Sequence, residues 1–151
     1  MIDTIFWDID GTLLDFLAAE KAAIKALFFK FGFGACSDGM VAEYSAINKR
    51  AWKKIETGEM TKATALEARF REFFALHGIP ADKAKDFNEE YQLRLGDTVV
   101  YCDESYEVIE ALRGKVKQYA ASNGTIAAQT RKLKNSGLEK LFDGVFLSEA
   151  V

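Results

Sequence analysis

The stretch IFWDIDGT, residues 5–12, constrains the fold of this chain more than any other. Residues 3–8 read as a short buried strand, because Thr4, Ile5, Phe6 and Trp7 are strand formers and the run is too short for a helix. Gly11 breaks it. Asp8 and Asp10 stand at the carboxyl end of that strand. A desolvated carboxylate is costly and two close together repel each other. The pair must therefore be neutralised or used.

The texture changes after the strand. From Asp15 to about Leu95 the sequence is rich in Ala, Lys, Glu, Leu and Phe at helical spacing. Four helices are expected there and no strand. Leu17, Ile24, Leu27, Phe28 and Phe31 line one face of the first. The second starts with Asp38 as its N-cap and closes at Gly58, the third runs from Thr61 to Gly78, and the fourth begins at Pro80. After Gly96 come a helix in DESYEVIEALRG with Val108, Ile109 and Leu112 inward, a strand in KVKQYAAS, a helix from NGT to Gly137, and a strand in GVFLS. Strands separated by helices predict βαβ units and a parallel sheet. The fold class is thus α/β, a doubly wound parallel sheet with an all-helical block inserted after the first strand. The expected boundaries are 1–15 and 97–151 for the sheet domain and 16–96 for the helical insert. The insert is expected over the carboxyl ends of the strands, where open α/β sheets bind ligands.

Composition narrows the function classes. With 49% hydrophobic and 13% aromatic residues the chain can build a core, which argues against general disorder. A net charge of −3 gives no pull toward nucleic acid. The basic residues Arg131, Lys132, Lys134 and Lys140, with Leu133 and Leu138 among them, read as a solvated helix face. Cys36 and Cys102 match no metal spacing. With no signal peptide in view, the expected location is the reducing cytoplasm, with no membrane partner. His77, alone near a helix end, is a poor candidate for catalysis or zinc binding.

Three chemistries compete for the Asp pair. A calcium loop requires a third Asp and a late Glu, but Gly11 follows Asp10 directly and position 19 is Ala19. A structural turn cap explains one Asp easily and two at the end of a strand less readily. Phosphoryl transfer explains both: one carboxylate as nucleophile, the other moving a proton, and a divalent cation offsetting the charge. Two residues i and i+2 on a strand project to one side, so Asp8 can face phosphorus while Asp10 faces the leaving group. YAASNGT then places Ser122 at a strand end, followed by Asn123, Gly124 and a helix start; alone this reads as an ordinary strand-turn-helix with Ser122 as cap, but beside the Asp pair it reads as an anion site of a hydroxyl and free amides.

DIDGTLLD, an all-helical insert, and then AASNGT resemble the haloacid dehalogenase-like superfamily, whose first motif is an apolar strand ending D-x-D-G and whose second ends an apolar strand in Ser or Thr. The resemblance runs through the whole chain. It implies a partial Rossmann-like core with a helical cap of type one. It further implies Asp8 as nucleophile and magnesium ligand, Asp10 as acid/base with its backbone carbonyl on the same magnesium, and Ser122 with Asn123 and Gly124 on the phosphoryl group. The second Asp favours phosphatases and phosphotransferases over dehalogenases. GEMTKATALEARFREFFALHGI and SGLEKLFDGVFLSEAV look most like the pyrimidine 5′-nucleotidase branch.

The expected function is therefore magnesium-dependent hydrolysis of a small phosphorylated metabolite, such as a nucleoside 5′-monophosphate. The alternatives are a non-catalytic binding module of the same fold and a phosphotransferase or mutase. The family's third motif, a Lys, and its fourth, an acidic pair, have no match before Val151. The expectation is accordingly a chain cut short of them, with little activity and an open edge on the first strand through which copies associate.

Overall fold

A computed structural model describes residues 1–150; Val151, and with it the end of the SEAV stretch, lies outside the described residues. The chain forms two compact units, Met1–Ala23 together with Gln92–Val151, and Ile24–Tyr91.

The first unit holds a three-stranded parallel sheet in the order β1 (Thr4–Asp8), β2 (Lys117–Ser122), β3 (Gly144–Leu147). The α/β expectation is borne out. Phe6 pairs with Tyr119 and Asp8 with Ala121, while Ser122 pairs with Leu147. Helices α5 (Ser105–Leu112) and α6 (Ile126–Ser136) supply the connections around β2. One face of the sheet is buried. Ile9, Leu13, Leu14, Ile109, Ala120, Leu133, Leu138 and Leu141 form its core, with Trp7 packed against them. The Trp7 indole donates to Gln118 Oε1 at 3.0 Å, and Gln118 Nε2 donates to the Ile109 carbonyl at 2.9 Å, so the buried Gln118 amide is satisfied. The opposite face carries Phe6, Tyr119 and Phe146, a cluster of aromatic rings that leaves Phe6 61% and Phe146 48% exposed. Among the described residues β1 pairs with β2 alone, so it is an edge.

Helix α6 is well bounded. Thr125 Oγ1 accepts the Ala128 N–H at 3.2 Å, and Gly137 closes the helix in the left-handed conformation at φ 80°. Its buried residues are Ala128, Gln129, Lys132 and Leu133. Lys132 thus corrects the sequence reading of a solvated basic face. It lies on the stripe that Leu133 and Ala128 turn inward, and only Arg131, Lys134 and Lys140 remain in solvent.

The second unit is helical throughout, as expected of the insert. Helix α1 (Phe16–Lys30) leads into it, followed by α2 (Asp38–Glu56), α3 (Lys62–Leu76), a 3₁₀ turn at Ala81–Lys83, and α4 (Ala84–Arg94). Ser37, one residue earlier than expected, is the N-cap of α2, and its hydroxyl accepts the Met40 N–H; Asp38 sits in the first turn. Thr61 caps α3 in the same way. Phe28, Phe70, Phe73, Phe74, Phe87 and Tyr44 are fully buried, many ring centroids lying 4.9–6.0 Å apart. The Arg69 guanidinium, 3% exposed, ties three helices together: it donates to Asn48 Oδ1, Asn88 Oδ1 and the Leu66 carbonyl, and stacks on Phe70 and Tyr91. Leu17 and Val108 were expected inward but are 64% and 44% exposed. Each sits at the margin of its helix's apolar stripe, where neighbouring residues fill the core first. No helix among the described residues is long and apolar enough to cross a membrane.

Candidate active site

β1 ends at Asp8, and the residues after it turn sharply. The Leu13 and Leu14 amides both donate to the Ile9 carbonyl, the Gly11 amide donates to the Leu14 carbonyl at 2.8 Å, and Gly11 takes φ 78°, which suits a residue without Cβ. Ile9 is fully buried and anchors this turn to the core. Two further bonds pin its far side: Cys102 N–H to the Leu13 carbonyl at 2.8 Å and Asp15 N–H to the Val100 carbonyl at 2.7 Å. Asp10 therefore lies in a turn rather than in the strand. Its direction comes from this loop, which corrects the expectation that strand alternation aligns it with Asp8.

The two carboxylates are treated differently. Asp8 is exposed, and its Oδ1 accepts the Ile9 N–H at 3.0 Å; no other side chain among the described residues hydrogen-bonds it. Asp10 is clamped through both oxygens. Lys132 Nζ lies 2.5 Å from Oδ1 and Gln129 Nε2 lies 2.9 Å from Oδ2. The Lys132 side chain is 3% exposed, and its ammonium also lies 5.6 Å from the Phe16 ring centroid. A buried ammonium needs such compensation, since desolvating an unpaired charge is prohibitive.

Ser122 joins the same network. Its Oγ accepts from Gln129 Nε2 at 2.5 Å and from the Gly124 N–H at 3.1 Å. A hydroxyl that already accepts twice has its proton left to give. An oxyanion beside it is the natural acceptor. The structure thus brings Asp10 and Ser122 together through Gln129. Asn123 is exposed and Gly124 half-buried at the start of the loop into α6.

Sequence reasoning missed Lys132 and Gln129. The signal was present: with Thr125 as N-cap, positions 128, 129, 132 and 133 fall on one helix face. Reading Lys132 by charge rather than by phase sent it to solvent.

The donors fit a hard divalent cation. No group of three or more His, Cys, Asp or Glu residues that could hold a metal occurs among the described residues. Magnesium does not require one; it is commonly bound through one or two protein oxygens, with waters and substrate phosphate completing the shell. The exposed Asp8 carboxylate and the Asp10 main-chain carbonyl are the oxygens on offer. The Asp10 carboxylate is turned toward Gln129 and Lys132, one on each oxygen.

Residues 2–151 match the sequence pattern of the haloacid dehalogenase-like hydrolases. The chain belongs to this family. Within it, the chain is 32% identical over 146 residues to YfnB of Bacillus subtilis, named as a HAD-hydrolase, the match covering 97% of this chain and 61% of that protein. It is 32% identical over 146 residues to the pyrimidine 5′-nucleotidase PynA of Streptococcus pneumoniae, covering 96% of this chain and 61% of the relative. The crystal structure of YfnB bound to magnesium superposes with a TM-score of 0.90 at 30% identity, over 99% of this chain and 66% of that one. An L-2-haloacid dehalogenase from Xanthobacter autotrophicus, at 17% identity and a TM-score of 0.67, shares the fold. The chain spans about three fifths of the length of the curated relatives it matches.

Proposed function

We propose that this haloacid dehalogenase-like chain carries the reacting half of a magnesium-dependent phosphatase for small phosphomonoesters, with a pyrimidine nucleoside 5′-monophosphate as the first substrate to test. The observation that carries the reading is the contrast between its carboxylates: Asp8 exposed and unpaired by any cation among the described residues, Asp10 clamped beside a Ser122 hydroxyl with a proton to give. The nucleotidase name of a relative with 32% identity supports the choice of substrate.

The chemistry follows from the positions. An Asp8 carboxylate oxygen attacks phosphorus, and the bond from phosphorus to the ester oxygen breaks. The departing oxygen takes a proton held at Asp10, leaving Asp10 as a carboxylate. Ser122 holds a non-bridging oxygen through its hydroxyl proton, since the Gly124 and Ile126 amides already donate to Ser122 Oγ and Glu149 Oε2. Water then attacks the aspartyl-phosphate while Asp10 takes its proton, which frees Asp8 and inorganic phosphate. The arrangement of Asp10, both oxygens accepting hydrogen bonds, is that of the base in this second half. A magnesium ion on Asp8 and the Asp10 carbonyl would supply charge compensation for the carboxylate and phosphate.

The test is phosphate release from a panel of monophosphates with and without magnesium, together with mass mapping of a phosphoryl group on Asp8. Asp8→Asn is expected to abolish both. Turnover that survives Asp8→Asn overturns the nucleophile assignment. Dependence on a second acceptor in place of water redirects the reading to a phosphotransferase.

A further inference from the structure

Gln129 and Lys132 stand three residues apart on the buried face of α6, and neither side chain serves the packing of that helix in the usual way. Gln129 is fully buried. Its amide nitrogen spends both hydrogens, one on Asp10 Oδ2 at 2.9 Å and one on Ser122 Oγ at 2.5 Å. Its carbonyl, Oε1, is buried with no hydrogen-bond partner. Turning the amide over would set that carbonyl against the Asp10 carboxylate and strip Ser122 of a donor. The orientation is thus dictated by the two functional residues, and an unsatisfied acceptor persists as the consequence. Buried orphan groups of this kind are rare and concentrate where structure serves function.

Lys132 completes the arrangement from the other side. Its ammonium meets Asp10 Oδ1 at 2.5 Å, so the Asp10 carboxylate is held at both oxygens by side chains from a single rigid helix. That helix begins at the loop carrying Ser122, Asn123 and Gly124. The spacing between Asp10 and the anion site is therefore set by α6, not by the mobility of a turn.

We infer that Lys132 and Gln129 are positioning residues that hold Asp10 and Ser122 at a fixed separation for phosphoryl transfer, Lys132 orienting the carboxylate and Gln129 bridging it to the hydroxyl. The inference rests on the phosphatase reading above. It assigns the two residues no contact with phosphorus; they act through Asp10 and Ser122.

Two measurements on the same variants test it. The first is a double-mutant cycle in this chain, read as unfolding midpoints of Asp10→Asn, Lys132→Met and the pair. A clamp makes the two changes strongly non-additive; additive shifts overturn it whatever the activity. The second is magnesium-supported turnover. Lys132→Met and Gln129→Glu are expected to lower kcat by about 10²-fold, the size of a misplaced catalytic group, with KM nearly unchanged. Lys132→Arg, which keeps the charge, is expected to recover most of the loss. Coupled midpoints with kcat untouched in Lys132→Met mean an architectural ion pair and overturn the inference, as does a change confined to KM. Turnover untouched by Asp8→Asn, measured alongside, overturns the phosphatase reading instead.

Discussion

The side chain of Gln129 lies directly on Gly124: a Cβ at position 124 would stand 2.7 Å from both Cδ and Nε2 of that amide. Real side chains do not approach so closely, and what must move is the end of a flexible side chain. Gly124→Ala is therefore expected to displace the Gln129 amide at a cost of about 1–3 kcal/mol of stability, the usual range of overpacking. Since Gln129 bridges Asp10 and Ser122, turnover is expected to fall by about 10²-fold. Thermal melting and phosphate release measured together check this; a fully active, equally stable Gly124→Ala would show that the bridge has no part in catalysis.

Asp103 is the one non-glycine residue described with positive φ, at 46°. It sits just before α5, in a conformation that crowds Cβ against the backbone. Asp103→Gly is expected to stabilise the first unit by about 0.5–1 kcal/mol, because relief of this strain exceeds the added freedom of glycine in the unfolded chain. A lower denaturation midpoint for the variant would mean that the Asp103 side chain contributes more than its backbone costs.

Both thiols titrate above the ordinary cysteine range. Burial pushes Cys36 up against the opposing pull of Lys25, and burial with Asp15 and Asp103 nearby pushes Cys102 up. The folded state therefore holds these protons more tightly than the unfolded chain does. Their contribution to stability is complete below the unfolded value of about 8.5 and is lost as pH rises through the folded values. Melting temperature under reducing conditions is expected to decline across this alkaline window, less so in Cys36→Ala/Cys102→Ala. A decline identical in both proteins would assign it to other groups. At neutral pH both thiols are expected to alkylate slowly, since the thiolate is the reactive form.

Phe6, Tyr119 and Phe146 form an aromatic face beside the edge of β1, which has no second strand partner among the described residues. Such surfaces and edges promote pairing with further chains. We expect this chain to self-associate with rising concentration, and Phe6→Lys to disperse it by placing a charge on both the face and the edge strand. Sedimentation velocity over a concentration series checks this; a sedimentation coefficient independent of concentration in the unmodified chain overturns it.

Much of this architecture was legible along the chain. The strand formers before Asp8, the run ending at Ser122 and GVFL all became strands, because β-branched and aromatic residues in short runs bounded by glycine have few other stable arrangements. Thr61, Thr125, Gly78 and Gly137 marked helix ends through chemistry that acts within four residues. The residues at stripe margins were less legible. Leu17 and Val108 are apolar and in phase, yet exposed, because periodicity states which face is apolar but not how far the neighbouring elements reach across it.

The sequence by itself determined an α/β chain with one carboxylate ending a strand, a second two residues on, and a hydroxyl ending another strand; the burial expected of the first strand did not follow, since its Phe6 face is exposed. Those features depend on local propensity and on short spacing. Only the tertiary structure decided what surrounds the pair. Asp10 and Lys132 are 122 positions apart, so helical phase sets Lys132 on the inward face of α6 but nothing local names the carboxylate it meets. The packing of α6 against the sheet turned that one ammonium into a space of low polarity. There it is tolerated only against a carboxylate, and there the carboxylate it meets is Asp10, while Asp8 stays open to solvent.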